Sequence, residues 1–111
     1  MPAIQVLPHL RHAVGEKMPL ILDSGIEGGE DIVKALALGA DFVMLGRPWM
    51  YAIGADPRQG AVTLVRILAE ELSTTMAQIG VTSIAEITSD VLAEQHLHEV
   101  TAPKPNLRQA T

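Results

Sequence analysis

Two apolar runs, Leu20-Ile21-Leu22 and Phe42-Val43-Met44-Leu45, show no polar alternation, and each stops at a glycine-bearing turn. The turns are Asp23-Ser24-Gly25 after the first run and Gly46-Arg47-Pro48 after the second. Runs of this kind predict short strands covered on both faces, as in a parallel sheet sandwiched by helices. Between them the apolar period changes. Ile32, Val33, Leu36, Ala37 and Ala40 recur at helical spacing, predicting a helix from about Gly29 to Leu38, and Gly39 suits a left-handed C-terminal position. A separation of about 20 residues with a helix inside it excludes a hairpin and predicts one parallel βαβ crossover.

On the upstream side, Ile4, Val6, Leu7, Leu10 and Val14 mark an amphipathic helix over Pro2 to Val14, stopped by Gly15. Downstream, Trp49 to Ile53 predicts one short helical turn before Gly54, with Trp49, Met50 and Tyr51 packed beneath it. Asp56-Pro57 reads as the cap and first residue of a long helix ending near Gly80. Its buried stripe is Ala61, Leu64, Val65, Leu68, Leu72, Met76 and Ile79, with Arg58, Arg66, Glu70 and Glu71 mostly on the other side. Ser83-Ile84-Ala85-Glu86 fits a capping box opening a last short helix. Past Asp90 the periodicity fades, and residues 96–111, with Pro103 and Pro105, read as an extended tail that stays loose unless a partner holds it. The organisation expected is therefore a folded unit over residues 1–95 and a tail over 96–111.

Length changes the picture, because 111 residues are well under half of the roughly 250 that complete a (β/α)8 barrel. At 48% hydrophobic and 19% charged the chain is globular. Its net charge of −5, with Lys and Arg scattered, leaves no basic face for nucleic acid or an anionic membrane. The absence of cysteine removes disulfides, thiolate chemistry and Cys-ligated metal. No apolar run approaches the roughly 20 residues of a membrane span and no signal peptide opens the chain, so cytoplasm is the expected location.

The chemistry sits at the two turns. Glycine lets the backbone approach a ligand closely, and the N–H groups of such turns and of the helices that follow them face an anion. In eight-stranded barrels a phosphate site of this type is built from the loops after the last two strands. Gly25 and Gly46 also fit a plainer role as turn residues ending strands, and Arg47 could pair with Asp23; its place just past a buried strand favours a ligand. Glu30 and Asp31 suit the positive end of the helix they open. His9 with His12, and His96 with His98, have spacings a metal site can use but lack a third ligand, and read as solvated or packing residues.

Asp23-Ser24-Gly25-Ile26, Asp31 through Lys34-Ala35-Leu36-Ala37-Leu38-Gly39-Ala40, Gly46-Arg47-Pro48, Glu71 through Thr75-Met76-Ala77 and Ile84-Ala85-Glu86-Ile87 together resemble one family. It is the FMN-dependent 2-hydroxy-acid dehydrogenases and oxidases, which include lactate, glycolate and mandelate enzymes, and the resemblance is to their C-terminal part. It covers Pro19 to Ile87, and Pro2 to Gly15 resembles the helix that precedes that part. The resemblance implies an α/β fold that is a C-terminal fragment of a (β/α)8 barrel, about two parallel strands with surrounding helices. It also implies FMN as cofactor, with its phosphate held by the Asp-Gly-Gly-x-Arg turn of the penultimate strand and the Gly-Arg of the last. By position Asp23, Gly25, Gly46 and Arg47 match, Ser24 replaces a glycine, and Glu27 stands where the family commonly has arginine. A carboxylate there repels a phosphate a few ångströms away by about 1 kcal/mol or more. With Glu27 turned to solvent, Arg47 and the amides of Gly25, Gly28, Gly29 and Gly46 are left to grip it.

The family's catalytic histidine belongs to a His-Gly-x-Arg motif that this sequence lacks, so no catalytic residue is assigned and a 2-hydroxy acid is expected as substrate only in a complete enzyme. Two buried strands also leave open sheet edges and uncovered helix faces, which predicts a homo-oligomer or a complementing chain. Three outcomes compete: a truncated product without activity, a subunit completing a barrel with another chain, and a non-catalytic phosphate-ligand or interaction module.

Overall fold

The computed structural model describes residues 1–93, so the expected tail over 96–111 lies outside the described residues, as do His96 and His98. Six regular elements follow one another: α1 (Ala3–Val14), β1 (Ile21–Asp23), α2 (Gly29–Ala37), β2 (Phe42–Met44), α3 (Arg47–Ala55) and α4 (Gly60–Ile79). Two 3-10 turns, Ile84–Glu86 and Ser89–Val91, come after α4. Among the described residues no helix is long and apolar enough to cross a membrane.

The strands pair in parallel, with Ile21 opposite Phe42, Leu22 opposite Val43 and Asp23 opposite Met44. Side chains alternate across a strand, so Leu22 and Val43 face one way and Ile21, Asp23, Phe42 and Met44 the other. The first face is covered. Leu22 and Ile26 pack with Leu7 of α1 and with Ala35 and Ala40, and Ile4, Leu20, Ile32, Leu38, Val43 and Leu45 surround them. A second cluster joins Val33 and Ala37 of α2 to Ile87, with Leu72 and Met76 of α4 against it.

The expectation of strands covered on both faces is corrected here. Ile21 is 59% exposed, Phe42 64% and Met44 53%, because both helices that pack on the sheet lie on one side and no segment among the described residues crosses the other. The long helix also departs from its expected stripe. Leu64, Leu68, Leu72 and Met76 are half-buried, but Ala61, Val65 and Ile79 are exposed, since α4 is packed on its α2 and α3 sides alone.

Local chemistry explains the remaining boundaries. The Asp56 carboxylate accepts the N–H groups of Arg58 and Gln59 at 3.0 and 3.1 Å, as a cap does, yet regular helix begins only at Gly60. The chain there runs so close to α3 that a Cβ on Gly60 would strike the Ala52 carbonyl. The α3 helix extends over nine residues rather than one turn, and its Met50 and Tyr51 are exposed instead of packed beneath it. At the expected last helix the Ser83 side chain makes no cap bond; Glu86 reaches back to Thr82, at 2.9 Å to its N–H and 3.2 Å to its hydroxyl, and a single 3-10 turn results.

Candidate phosphate-binding site

Parallel pairing puts the C-terminal ends of β1 and β2 on the same rim, and with them both glycine-bearing turns. A hollow of about 260 Å3 opens between these turns, lined by Asp23, Ser24, Gly25, Ile26, Glu27, Met44, Gly46, Arg47 and Pro48. All five expected site residues, Asp23, Ser24, Gly25, Gly46 and Arg47, therefore meet in one place.

The first turn is held in an uncommon backbone conformation, with φ of 93° at Ser24 and 81° at Gly25. Glycine adopts such angles freely; serine is strained by the approach of its Cβ to the backbone. A Cβ placed on Gly25 or on Gly46 would meet no atom within 4 Å, so the space in front of both turns is open to a ligand. The second turn leads directly into α3, whose first residue is Arg47 and whose second is Pro48, a residue with no N–H to satisfy. Arg47 and the positive end of α3 thus border the same hollow. Among the described residues Arg47 has no ion-pair partner, which removes the alternative that it neutralises Asp23.

Glu27 is exposed at the edge of the hollow and also borders the neighbouring groove toward Glu70 and Glu71. One expectation about the donors is revised: the Gly29 amide does not serve an external anion but donates to Glu71 Oε2 of α4 at 2.7 Å. The Glu27 N–H is likewise taken, by Asp31 Oδ2 at 3.0 Å. The start of α2 is thus occupied by the protein's own carboxylates, and the start of α3 is the helix end that opens on the hollow. Glu71 was not expected in this role, although the pair Gly28-Gly29, which signals close backbone approach, pointed toward such a contact.

The opposite rim is built for stability. Arg11 of α1 donates from Nε and Nη2 to the Gly39 carbonyl at 2.9 and 2.7 Å, and from Nη1 to the carbonyls of Gly15 and Met18, both at 2.8 Å. It also pairs with Asp41 at 2.6 Å, and the same carboxylate oxygen accepts the Leu20 N–H at 2.8 Å. The Leu20 N–H and the Arg11 guanidinium hold the Asp41 carboxyl below its ordinary value. His12 lies beside this cluster, at the rim opposite the hollow. Among the described residues no three acidic, histidine or cysteine side chains are arranged to hold a metal ion.

The donor set fits a phosphate group: one arginine, one helix N-terminus and two tight turns around a space that glycines keep clear. Comparison with known proteins identifies the family. The family model described as FMN-dependent dehydrogenase matches residues 1–94. The L-lactate oxidase of Alicycliphilus denitrificans is 44% identical over 90 residues, covering 81% of this chain and 25% of that protein. The 2-hydroxyacid oxidase of Dictyostelium discoideum is 38% identical over 93 residues, 84% of this chain and 24% of that one. Among solved structures, a flavocytochrome b2 variant with sulfite bound superposes with a TM-score of 0.78 at 35% identity, covering 96% of this chain and 29% of that one. Mandelate oxidase with benzoyl-formic acid gives 0.74 at 37% identity, over 78% of this chain and 26% of that one. The chain spans about a quarter of the length of the curated relatives it matches. It adopts the fold of the corresponding part of their (β/α)8 barrel, and it belongs to the FMN-dependent dehydrogenase family, whose cofactor is FMN.

Proposed function

We propose that this chain is the phosphate-anchoring part of an FMN-dependent 2-hydroxy-acid dehydrogenase or oxidase barrel, and that alone it turns over no substrate. The observation that carries the reading is the meeting of Arg47 and the α3 N-terminus with the Ser24-Gly25 turn across one hollow. The relatives' names, L-lactate oxidase and 2-hydroxyacid oxidase, support a 2-hydroxy acid as the substrate class of the complete enzyme. FMN, when bound, supplies the acceptor for a hydride equivalent.

This chain's contribution is to bind and orient. The Arg47 guanidinium would make charged hydrogen bonds to phosphate oxygens, and the main-chain N–H groups of the two turns would add dipoles beside them. Asp23 and Glu27 place negative charge at the same hollow, which weakens the grip on a dianion relative to a site lined by cations alone. Among the described residues no histidine lines this hollow: the His-Gly-x-Arg motif is absent, and His12 lies at the far rim.

A fluorescence titration with FMN tests the anchor. Replacing Arg47 with alanine is expected to cost about 1.5 to 3 kcal/mol of binding, the range for a hydrogen bond to a charged group. Equal affinity of Arg47→Ala and the parent chain contradicts the assignment, and so does reduction of FMN by lactate in the presence of this chain alone.

A second reading, that the chain completes a barrel with another chain or with its own copy, is favoured by the exposure of Ile21, Phe42 and Met44 on one sheet face. The two readings are compatible, because the hollow lies at the strand ends and the apolar surface along their length.

A further inference from the structure

We infer that Glu71 is a positioning residue for the phosphate turn, acting from α4 without touching the hollow; this rests on the functional reading above. The turn between β1 and α2 carries Ser24, Gly25 and Glu27, which line the hollow, and ends at Gly28 and Gly29, which do not. Its first end is fixed by the pairing of β1 with β2. Its second end is fixed by α4, through one charged hydrogen bond from the Gly29 N–H to Glu71 Oε2 at 2.7 Å.

The packing around that bond is tight enough to set position. A Cβ on Gly28 would lie 2.7 Å from Glu71 Oε2, and one on Gly29 would lie 2.6 Å from the Glu71 Cβ. Gly29 is therefore required for α4 to approach, since a Cβ there would strike the α4 main chain, whereas at Gly28 it would meet only the carboxylate tip; the approach brings the carboxylate onto the first N–H of α2. A carboxylate at a helix N-terminus is stabilised by the helix dipole, and the bond to an ionised acceptor is among the stronger ones available to a main-chain donor.

Glu71 is itself anchored. The next residue, Leu72, packs against the cluster of Val33, Ala37 and Ile87, and the Thr75 hydroxyl donates to the Glu71 carbonyl at 2.8 Å. The second consequence is selectivity between the two helix ends at this rim. With Glu71 on Gly29, the start of α2 carries its own anion, and an incoming phosphate is directed to the start of α3 beside Arg47. Losing the Glu71 carboxylate frees the turn to move and opens a competing anion site at α2.

The experiment compares the full chain with Glu71→Ala, Glu71→Gln and Leu72→Ala, using FMN titration and amide hydrogen exchange. Glutamine keeps an acceptor oxygen for the Gly29 N–H, whereas Leu72→Ala weakens the same helix pair without removing the bond. Glu71→Ala is expected to bind FMN about tenfold more weakly, within the range by which residues outside a ligand contact alter affinity. Its amides from Ser24 to Gly29 should exchange faster, while Glu71→Gln restores both properties and Leu72→Ala lowers the melting temperature without the affinity loss. Wild-type affinity in Glu71→Ala, or an equal loss in Leu72→Ala, overturns the positioning role while leaving the anchor standing. A parent chain that binds no FMN overturns the functional reading; unchanged exchange at Ser24 to Gly29 in Glu71→Ala then overturns the positioning role too, and faster exchange there upholds the hold of Glu71 on the turn.

Discussion

Ser24 concentrates the tension between stability and site geometry. Its φ of 93° costs a non-glycine residue about 1–2 kcal/mol, because the Cβ crowds the neighbouring carbonyl. Replacing it with glycine removes that strain but gives the unfolded chain more freedom, an offset of about 0.4–1 kcal/mol. Ser24→Gly is therefore expected to stabilise the chain by roughly 0.5–1 kcal/mol and to raise the melting temperature by a few degrees. A lower melting temperature would show that the serine relieves its strain through a compensating contact. Because the resembling family carries glycine here, the direction of the change was legible in the sequence, whereas the strain itself required the backbone angle.

At the scale of elements, the Arg11 and Asp41 pair joins the end of α1 to the segments entering β1 and β2. Asp41 has its carboxyl held below its ordinary value of 3.8 by the Leu20 N–H and by Arg11. A depressed folded-state value means that the charged carboxylate stabilises the fold above the unfolded value and that this contribution fades as pH falls through the folded one. Thermal melts from neutral to acidic pH should show the parent chain more stable than Asp41→Asn at neutral pH, with the gap closing below pH 3.8. A gap independent of pH would assign the effect to geometry instead of charge.

The same pair shows what sequence reading misses between elements. Strand positions, their parallel pairing and the helix between them were legible, since apolar runs and helical spacing are local signals. Arg11 binds Gly39 at a separation of 28 residues, and no local pattern announces such a bond. The Glu71 contact with Gly29, 42 residues away, escaped for the same reason, although the residue was placed on α4 and the glycine pair was noted. The cap at Asp56 was read correctly as chemistry, but the α3 to α4 contact at Gly60 delayed the regular helix, and that contact is tertiary.

On the scale of the whole molecule, the open sheet face sets the behaviour in solution. Ile21, Phe42 and Met44 together form an apolar strip flanked by two strand edges that no described residue pairs, a combination that favours association. Sedimentation at rising concentration should show species heavier than the 11.9 kDa monomer, and the double change Ile21→Ser with Phe42→Ser should shift them toward monomer. A parent chain that stays monomeric throughout would contradict completion of the barrel by its own copy. The sequence had implied strands buried on both sides, and the difference arises because apolar residues record what a face is suited to cover, not what the described residues supply to cover it.

The central claim, that the two turns hold a phosphate, is tested most directly by titrating the chain in parallel with FMN and with riboflavin, which differ only in that group. The account expects FMN to bind at least about tenfold more tightly, the contribution of one charged hydrogen bond or more. Equal affinity for the two flavins, or tighter binding of riboflavin, would contradict it.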